Sequence, residues 1–246
     1  TQKAYLIKGE KLSPGEFGIM HGYMQIPELK AVCKRYGVSI NEYLVSVFVW
    51  SVYQECMHKM PAKRPIRVAV PVNLRPYFNS ITTKNFFVMV SAEFDPVKED
   101  YTFEEVVEAV KASLESQINK GNLEKLFSYN VSNEKMFIAR AVPLIIKNIA
   151  MRIIYTQSAL ANTTTITNIG NLTVDEMYQP YVEMFHSCLA MSKGQHIKGN
   201  ICSYGDTLVF TFSYDLADAS IQRCFFRKAA ADGISVEIDS NGVNYE

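Results

Sequence analysis

Residues 39–59 read SINEYLVSVFVWSVYQECMHK, and they constrain the fold more than any other stretch of the chain. Ser39 and Glu42 stand three apart just ahead of an apolar run, which is the spacing of a capping box at a helix start. Leu44, Val45, Val47, Phe48, Val49, Trp50, Val52 and Tyr53 then cover almost the whole circumference of the predicted helix. A helix apolar all round has to be buried, so the rest of the chain must enclose it. With 246 residues, 48% of them hydrophobic and 20% charged, there is enough material for a substantial core.

The elements around that helix alternate in type. Pro27 in a first turn and Gly37 just past the end frame a short helix over 27–36. The stretch IRVAVPVNLRPYF (66–78) begins as a β-branched strand and ends in a Pro-bounded loop, and KNFFVMVSAEFD (84–95) is a second strand. Thr102 and Glu105 form another capping box, opening an amphipathic helix to about Lys120. Further helix is expected from Asn122 to Tyr155, broken near Val131 and at Pro143. TTTITNIG (163–170) is β-rich and stops at Gly170. Three strands are expected next, over Tyr181–Met191, His196–Ser203 and Asp206–Tyr214, with Gly205-Asp206 as a tight hairpin turn. A helix from Ala219 to about Asp232 and a closing strand in GISVEIDSNG complete the pattern. No repeat of solenoid length interrupts it. The predicted class is α/β, a mixed β-sheet backed by helices, in a single unit over 1–246 with residues 1–26 as a lead-in.

Charge and cysteine usage exclude several function classes. With 25 basic and 25 acidic side chains the net charge is zero, which offers no general attraction to nucleic acid or anionic lipid. Cys33, Cys56, Cys188, Cys202 and Cys224 are odd in number and lack CxxC spacing. They read as reduced thiols of a cytoplasmic protein, and no metal site is expected. The start, TQKAYLIKGEKLSPGEFG, has no apolar segment of a secretory signal. Thr1 in place of Met, already in strand-like sequence, is the expected start of a portion excised from something longer. The longest apolar region, 141–160, is interrupted by Lys147 and Arg152, so no membrane span is expected. It is read as a partly buried helix, with a basic helix on a membrane surface as the alternative.

The stretch FTFSYDLADAS (210–220) is a strand of period two that stops at Asp215 and Asp218 in front of a helix. Such a junction is a common place for chemistry. It is equally explained if Asp218 accepts a backbone N–H and caps the helix, and that reading is taken here.

Several stretches in order resemble the second half of the chloramphenicol acetyltransferase-like superfamily, which includes wax ester synthases, alcohol acyltransferases and peptide-synthetase condensation domains. SINEYLVSV is similar to its Thr-x-Asn-Asp helix start, with Asn41 on the Asn and Glu42 in place of the Asp. VAVPVNLRPYF is similar to its Pro-Val-x-Leu-Arg strand end, NFFVMV to the strand that follows, and TNIGNL to its Ser/Thr-Asn-x-Gly loop. YGDTLVFTFSYDLADASIQRCF resembles its closing hairpin and helix. The resemblance covers roughly Pro27 to Glu237.

The family's catalytic signature, His-His-x-x-x-Asp-Gly, is absent. His21, His58, His186 and His196 are isolated. Setting Asp218 on the signature's Asp places Ser213 and Tyr214 on the two histidines and Ala219 on the Gly. A Tyr with a pKa near 10 is a poor general base at neutral pH, so no catalytic residue is assigned. The resemblance implies a C-terminal acyltransferase lobe. Its absent N-terminal partner lobe would supply the catalytic His, and coenzyme A or a carrier-protein thioester would donate the acyl group to a small-molecule alcohol or amine. No metal and no bound cofactor are implied. Self-association through an exposed lobe interface is expected.

Within that frame the substrate-binding candidates are Thr167, Asn168, Gly170 and Arg75. Hydroxyl and amide groups at a strand end can bind an acyl carbonyl or its oxyanion, and glycine allows close backbone approach. A turn stabilised by Asn168 explains the same residues. Arg75 is open between solvation, an internal ion pair and a place on a ligand channel. Asn41 and Glu42 are read as helix capping. His186 is read as a core histidine on one face of a strand; Cys188 shares that face, but no acid is near to orient the pair. Two other readings stand beside the acyltransferase lobe. One is a stand-alone non-catalytic binding module of the same fold. The other is a homo-oligomer with its site between subunits, which Ser213 and Tyr214 in the histidine positions disfavour.

Overall fold

In the computed structural model, which describes residues 3–135 and 143–243, seven strands form one sheet in the order β3-β2-β4-β5-β6-β1-β7. The strands are β1 (Gly18–Gln25), β2 (Ile66–Asn73), β3 (Phe87–Phe94), β4 (Thr164–Asn171), β5 (Ile197–Tyr204), β6 (Thr207–Tyr214) and β7 (Val236–Ser240). β4 runs parallel to β2 and to β5, and every other pair is antiparallel. The helices are α1 (Ile26–Tyr36), α2 (Ile40–Met57), the single turn α3 (Arg75–Phe78), α4 (Phe103–Gln117), α5 (Lys120–Lys135), α6 (Leu144–Ala159) and α7 (Ser220–Ala231). A 3-10 helix spans Glu176–Tyr181. The expected class, a mixed sheet backed by helices, is the one observed.

Strand register sorts side chains into two unlike faces. Val68, Val70, Val88, Val90, Ile166, Ile197, Ile201, Phe210, Phe212 and Met24 share one face, and all are buried. α2 packs there, with the rings of Phe48 and Phe212 6.3 Å apart. Its far side meets α4 through Trp50 and Phe103, 5.8 Å between ring centroids. The all-round apolar helix is thus enclosed between sheet and helices, as its sequence requires. Both capping boxes form, at Ser39/Glu42 and Thr102/Glu105. Gly37 ends α1 at φ 65°, a left-handed position that suits glycine. β3 is an edge strand, and α4 satisfies its open backbone. Ser113 Oγ accepts from Glu93 N (3.0 Å), and the Gln117 amide pairs with Ser91 N and O at 3.1 and 2.8 Å.

The opposite face carries Thr165, Thr167, Lys198, Asn200, Thr211, Ser213, His21, Tyr23, Glu237 and Asp239. Residues 184–191 cross it as an extended segment tied by side chains. Ser187 Oγ donates to Asn200 Oδ1 (2.6 Å), Leu189 N to Ser213 Oγ (3.2 Å), and Tyr23 Oη meets His186 Nε2 (2.8 Å). This corrects the strand expected over Tyr181–Met191. The alternation of burial is present, but β5 is already flanked by β4 and β6, so no free edge remains beside it for another strand to pair with. The same cover makes β6 buried on both faces, where its sequence reads as half-buried.

Two further differences concern the ends of elements. The lead-in segment contributes β1, which inserts between β6 and β7. Helix α5 runs without a break near Val131, and residues 136–142, within the same expected helical stretch, lie outside the described residues. Helix α6 is not partly buried as expected. Leu144, Ile145, Ile146, Ile149, Met151, Ile153, Ile154 and Tyr155 are each more than half exposed, and only Ala159 is buried. Among the described residues no helix is long and apolar enough to cross a membrane.

One internal defect makes a stability prediction. Gln222 on α7 is fully buried, and neither its amide nitrogen nor its amide oxygen has a hydrogen-bond partner. An unpaired buried polar group costs about 1–3 kcal/mol. Gln222→Leu is therefore expected to raise the unfolding free energy by that amount, seen as a higher urea midpoint at unchanged m-value. A lowered midpoint would show that the amide has a role the packing does not reveal.

Candidate functional site

The C-terminal ends of β2, β4 and β5 lie along one edge of the sheet, because these strands are mutually parallel in the order β2-β4-β5. β2 and β4 share register partners only at Val68↔Thr164 and Ala69↔Thr165, although β2 continues to Asn73 and β4 to Asn171. Pro71, which has no N–H to donate, sits two residues past the last partnered residue, Ala69. The two strands end with Arg75 beyond one and Asn168–Gly170 on the other. Topology thus brings all four candidate residues to one edge, flanking the place where the ladder between β2 and β4 stops.

Their local chemistry differs. Asn168 Oδ1 accepts from Gly170 N at 2.8 Å, closing an Asx turn, and the register of β4 against β5 shifts between Asn168 and Gly170. Gly170 holds φ 89°, and a Cβ added there would meet nothing within 4 Å. Glycine is needed here for its backbone angle, and the space beside it is open. Asn168 is exposed, with its oxygen committed to the turn and its Nδ2 hydrogens left for another acceptor. Thr167, half-buried, lies beside Asn200 on the polar face. Arg75 is tied into the fold. Its guanidinium donates to Thr82 O (2.8 Å), Lys84 O (2.7 Å) and Asn73 Oδ1 (3.2 Å), pinning the loop between α3 and β3. Of the open readings for Arg75, an ion pair is replaced by carbonyl clamping.

At the strand-to-helix junction, Asp218 Oδ1 accepts from Ser220 N (2.9 Å) and Oδ2 from Ser220 Oγ (2.7 Å). Asp218 is the helix-start residue its sequence suggests, one position ahead of the N-cap Ala219. Ser213 and Tyr214 are almost wholly buried. His186 is exposed, not a core residue. Its ring lies 4.5 Å from that of His21, whose Nδ1 is 2.8 Å from Thr211 Oγ1. Burial and then His186 hold the His21 imidazole below its ordinary pKa. Cys188 is exposed, and no group of three metal-ligating side chains occurs among the described residues.

Sequence reasoning missed one acid–base pair. His196 Nδ1 lies 2.9 Å from Asp215 Oδ1, and Lys11 approaches the same carboxylate at 3.9 Å. The signal was available: a hairpin turning at Gly205-Asp206 pairs Tyr204 with Thr207, and the same register carried back sets His196 opposite Asp215. Two residues on, the buried Lys198 Nζ donates to Ser192 Oγ, and burial alone holds this amine below the usual lysine range. Both features sit at the other end of β5 from the candidate loop. Asn168 lies beside Ile201, five residues along β5 from His196, which is roughly 16 Å at the usual rise per residue. A general base must come within about 3 Å of the proton it takes, so His196 does not serve the Thr167–Gly170 loop.

No family model matches the chain, and neither does any curated protein searched. Solved structures do. A trichothecene 15-O-acetyltransferase from Fusarium sporotrichioides is 13% identical, with TM-score 0.58 over 92% of this chain and 48% of its own. A wax ester synthase/diacylglycerol acyltransferase from Marinobacter aquaeolei VT8 is 12% identical, with TM-score 0.50 over 94% of this chain and 52% of its own. A nonribosomal peptide synthetase in its AMPPNP-bound form is 16% identical, with TM-score 0.59 over 94% of this chain and 23% of its own. The chain therefore spans about half the length of the two acyltransferases and less of the synthetase. At these identities the likeness speaks to architecture. With its mixed seven-stranded sheet and its helix layer, the chain has the chloramphenicol acetyltransferase-like fold.

Proposed function

We propose that this chain is the C-terminal lobe of an acyltransferase, moving an acyl group from a coenzyme A or carrier-protein thioester to an alcohol or amine. The observation that carries the reading is a fold shared with acyltransferases over about half their length, in a chain without the His-His-x-x-x-Asp-Gly signature. A partner lobe supplies the general base, and this lobe supplies one wall of the acyl channel. In that wall the Asn168 amide nitrogen is the donor for the acyl carbonyl as it becomes an oxyanion, Gly170 keeps the space beside it open, and Arg75 holds the neighbouring loop in place. The exposed isoleucines of α6 support a partner, because so large an apolar surface usually marks an interface. The five free cysteines are in keeping with a reducing, cytoplasmic setting.

Attack on a thioester needs a base and an oxyanion donor in register. The chain on its own is expected to give no transfer or hydrolysis of coenzyme A thioesters above background. Co-expression with a lobe bearing the signature is expected to give turnover that depends on the second histidine of that lobe. Turnover by the chain alone that disappears in His196→Ala would overturn this division of labour. A folded complex of the two lobes that binds but never turns over would favour the non-catalytic module.

A further inference from the structure

Beyond the acyl channel, a second surface has the form of a ligand site. α7 crosses the sheet above β6, with the Phe225 ring tilted against Phe210 at 4.4 Å and the Phe226 ring edge-on to Phe212 at 5.6 Å. β7 is the last strand, and Val236 and Ile238 on its inner face lie beyond α7. A groove of about 470 Å3 runs between them, floored by Met20, Tyr214, Phe226, Val236 and Ile238. That volume falls within the range of about 300–1,000 Å3 usual for small-molecule sites.

Two details make this a shaped groove and not a loose edge. Gly18 and Gly22 alternate on the β1 face beneath it. A Cβ on Gly18 would lie 2.2 Å from the Tyr214 ring, and one on Gly22 would lie 2.1 Å from the Phe226 ring. Both rings therefore rest directly on the β1 backbone, which fixes the floor. The rim is cationic. Arg223 and Arg227 stand one turn apart on α7 and line the groove, and neither guanidinium has an ion pair or hydrogen bond among the described residues. No carboxylate lines it. The acids of β7, Glu237 and Asp239, alternate to the other face, in register with Tyr23 and His21.

We propose that this groove binds a single-chain anionic amphiphile, a fatty carboxylate, with its hydrocarbon on the Met20–Phe226–Ile238 floor and its head on Arg223 and Arg227. A planar guanidinium matches a carboxylate through paired N–H donors. The floor offers hydrocarbon contact, and besides the two arginines only Ser240 and the Tyr214 hydroxyl bring polar side-chain atoms to the lining. A nucleotide or sugar would bury most of its polar groups there without partners. The proposal stands apart from the acyltransferase reading, since the groove lies at the β1–β7 side of the sheet, away from β2 and β4.

The test is displacement of a fluorescent undecanoate from the intact chain by dodecanoate, below the micelle threshold. Saturable displacement is expected. Octanoate should bind about a hundredfold more weakly, since full burial of a methylene is worth roughly 0.8 kcal/mol, about tenfold per two carbons. Arg223→Gln with Arg227→Gln should weaken dodecanoate at least tenfold, and neutral dodecanol should compete poorly. Ala230→Phe, which fills the groove from the exposed side of α7, should abolish binding without lowering the melting temperature. Unchanged affinity in either variant would overturn the proposal and place the binding elsewhere, with the apolar α6 surface as the obvious alternative. Equal competition by dodecanol, or no saturable displacement, would overturn it as well.

Discussion

Replacing Asp232 with alanine is expected to cost the fold about 3–5 kcal/mol, the penalty for breaking a buried ion pair from one side. Asp232 follows α7 and is the point where three helices are tied together. Its carboxylate accepts from Tyr43 Oη (2.8 Å), Tyr36 Oη (3.0 Å) and Lys228 Nζ (2.5 Å), while Arg35 donates to its backbone carbonyl. The side chains of Lys228 and Asp232 are 18% and 9% exposed, so water screens the pair little. Without the carboxylate, Lys228 keeps a long hydrogen bond to Tyr36 Oη (3.4 Å) and its places over the Phe103 and Tyr36 rings, 3.9 and 5.7 Å from their centroids, and a cation over a ring is worth about 0.5–2 kcal/mol. The hydroxyls of the buried Tyr43 and the half-buried Tyr36 lose this acceptor at the same time. Against a total stability of about 5–15 kcal/mol this is a large fraction. A loss below about 1 kcal/mol in urea unfolding would mean that solvent reaches the cluster freely.

The same cluster sets an alkaline limit. Burial, reinforced by Asp232, raises the Tyr36 phenol to about 12 and pushes Tyr43 higher still. Above pH 10 the unfolded chain sheds these protons and the folded chain keeps them, so unfolding releases protons and stability falls as pH rises. The Tyr36 contribution is complete below pH 10 and is lost as pH climbs through 12, while the loss from Tyr43 continues at still higher pH. Tyr36→Phe should soften that decline. An identical alkaline profile in the variant would remove Tyr36 from the explanation.

Local rules made the helix starts and the hairpin legible from sequence. The two capping boxes, Gly37 and the Gly205-Asp206 turn depend on residues three or four apart, and each is where its spacing puts it. The hairpin carried more information than its turn, since its register also pairs His196 with Asp215. Long-range order was not legible. Nothing near Gly18–Gln25 says that it pairs with β6 and β7, more than 180 residues on. The segment 184–191 has the alternation of a strand, and whether it pairs depends on a free edge that the sheet order denies it. Asp232 looks like any helix-end acid until α1 and α2 bring Tyr36 and Tyr43 to it. At the candidate site the Asx turn of Asn168 was readable, and its place on the same edge of the sheet as the clamp of Arg75 required the β2-β4 neighbourhood.

Asn168→Asp in the proposed two-lobe enzyme is expected to lower kcat about a hundredfold while leaving the melting temperature close to that of the parent. The aspartate retains an oxygen where Asn168 Oδ1 accepts from Gly170 N at 2.8 Å, so the turn is kept. It removes the amide N–H donor and places a negative charge where the oxyanion would develop. Loss of one oxyanion donor costs about 2.7–4 kcal/mol in the transition state, whereas an ordinary hydrogen bond contributes about 1 kcal/mol of stability. Asn168→Ala loses both functions and should show the catalytic defect together with a small drop in melting temperature. Gly170→Ala separates the backbone from the amide. Its φ of 89° strains any side chain although the space beyond is open, so its penalty should fall on stability first. If Asn168→Asp keeps kcat within twofold of the parent per folded molecule, Asn168 is a turn residue, and the oxyanion donor must come from elsewhere along the edge where β2 and β4 part.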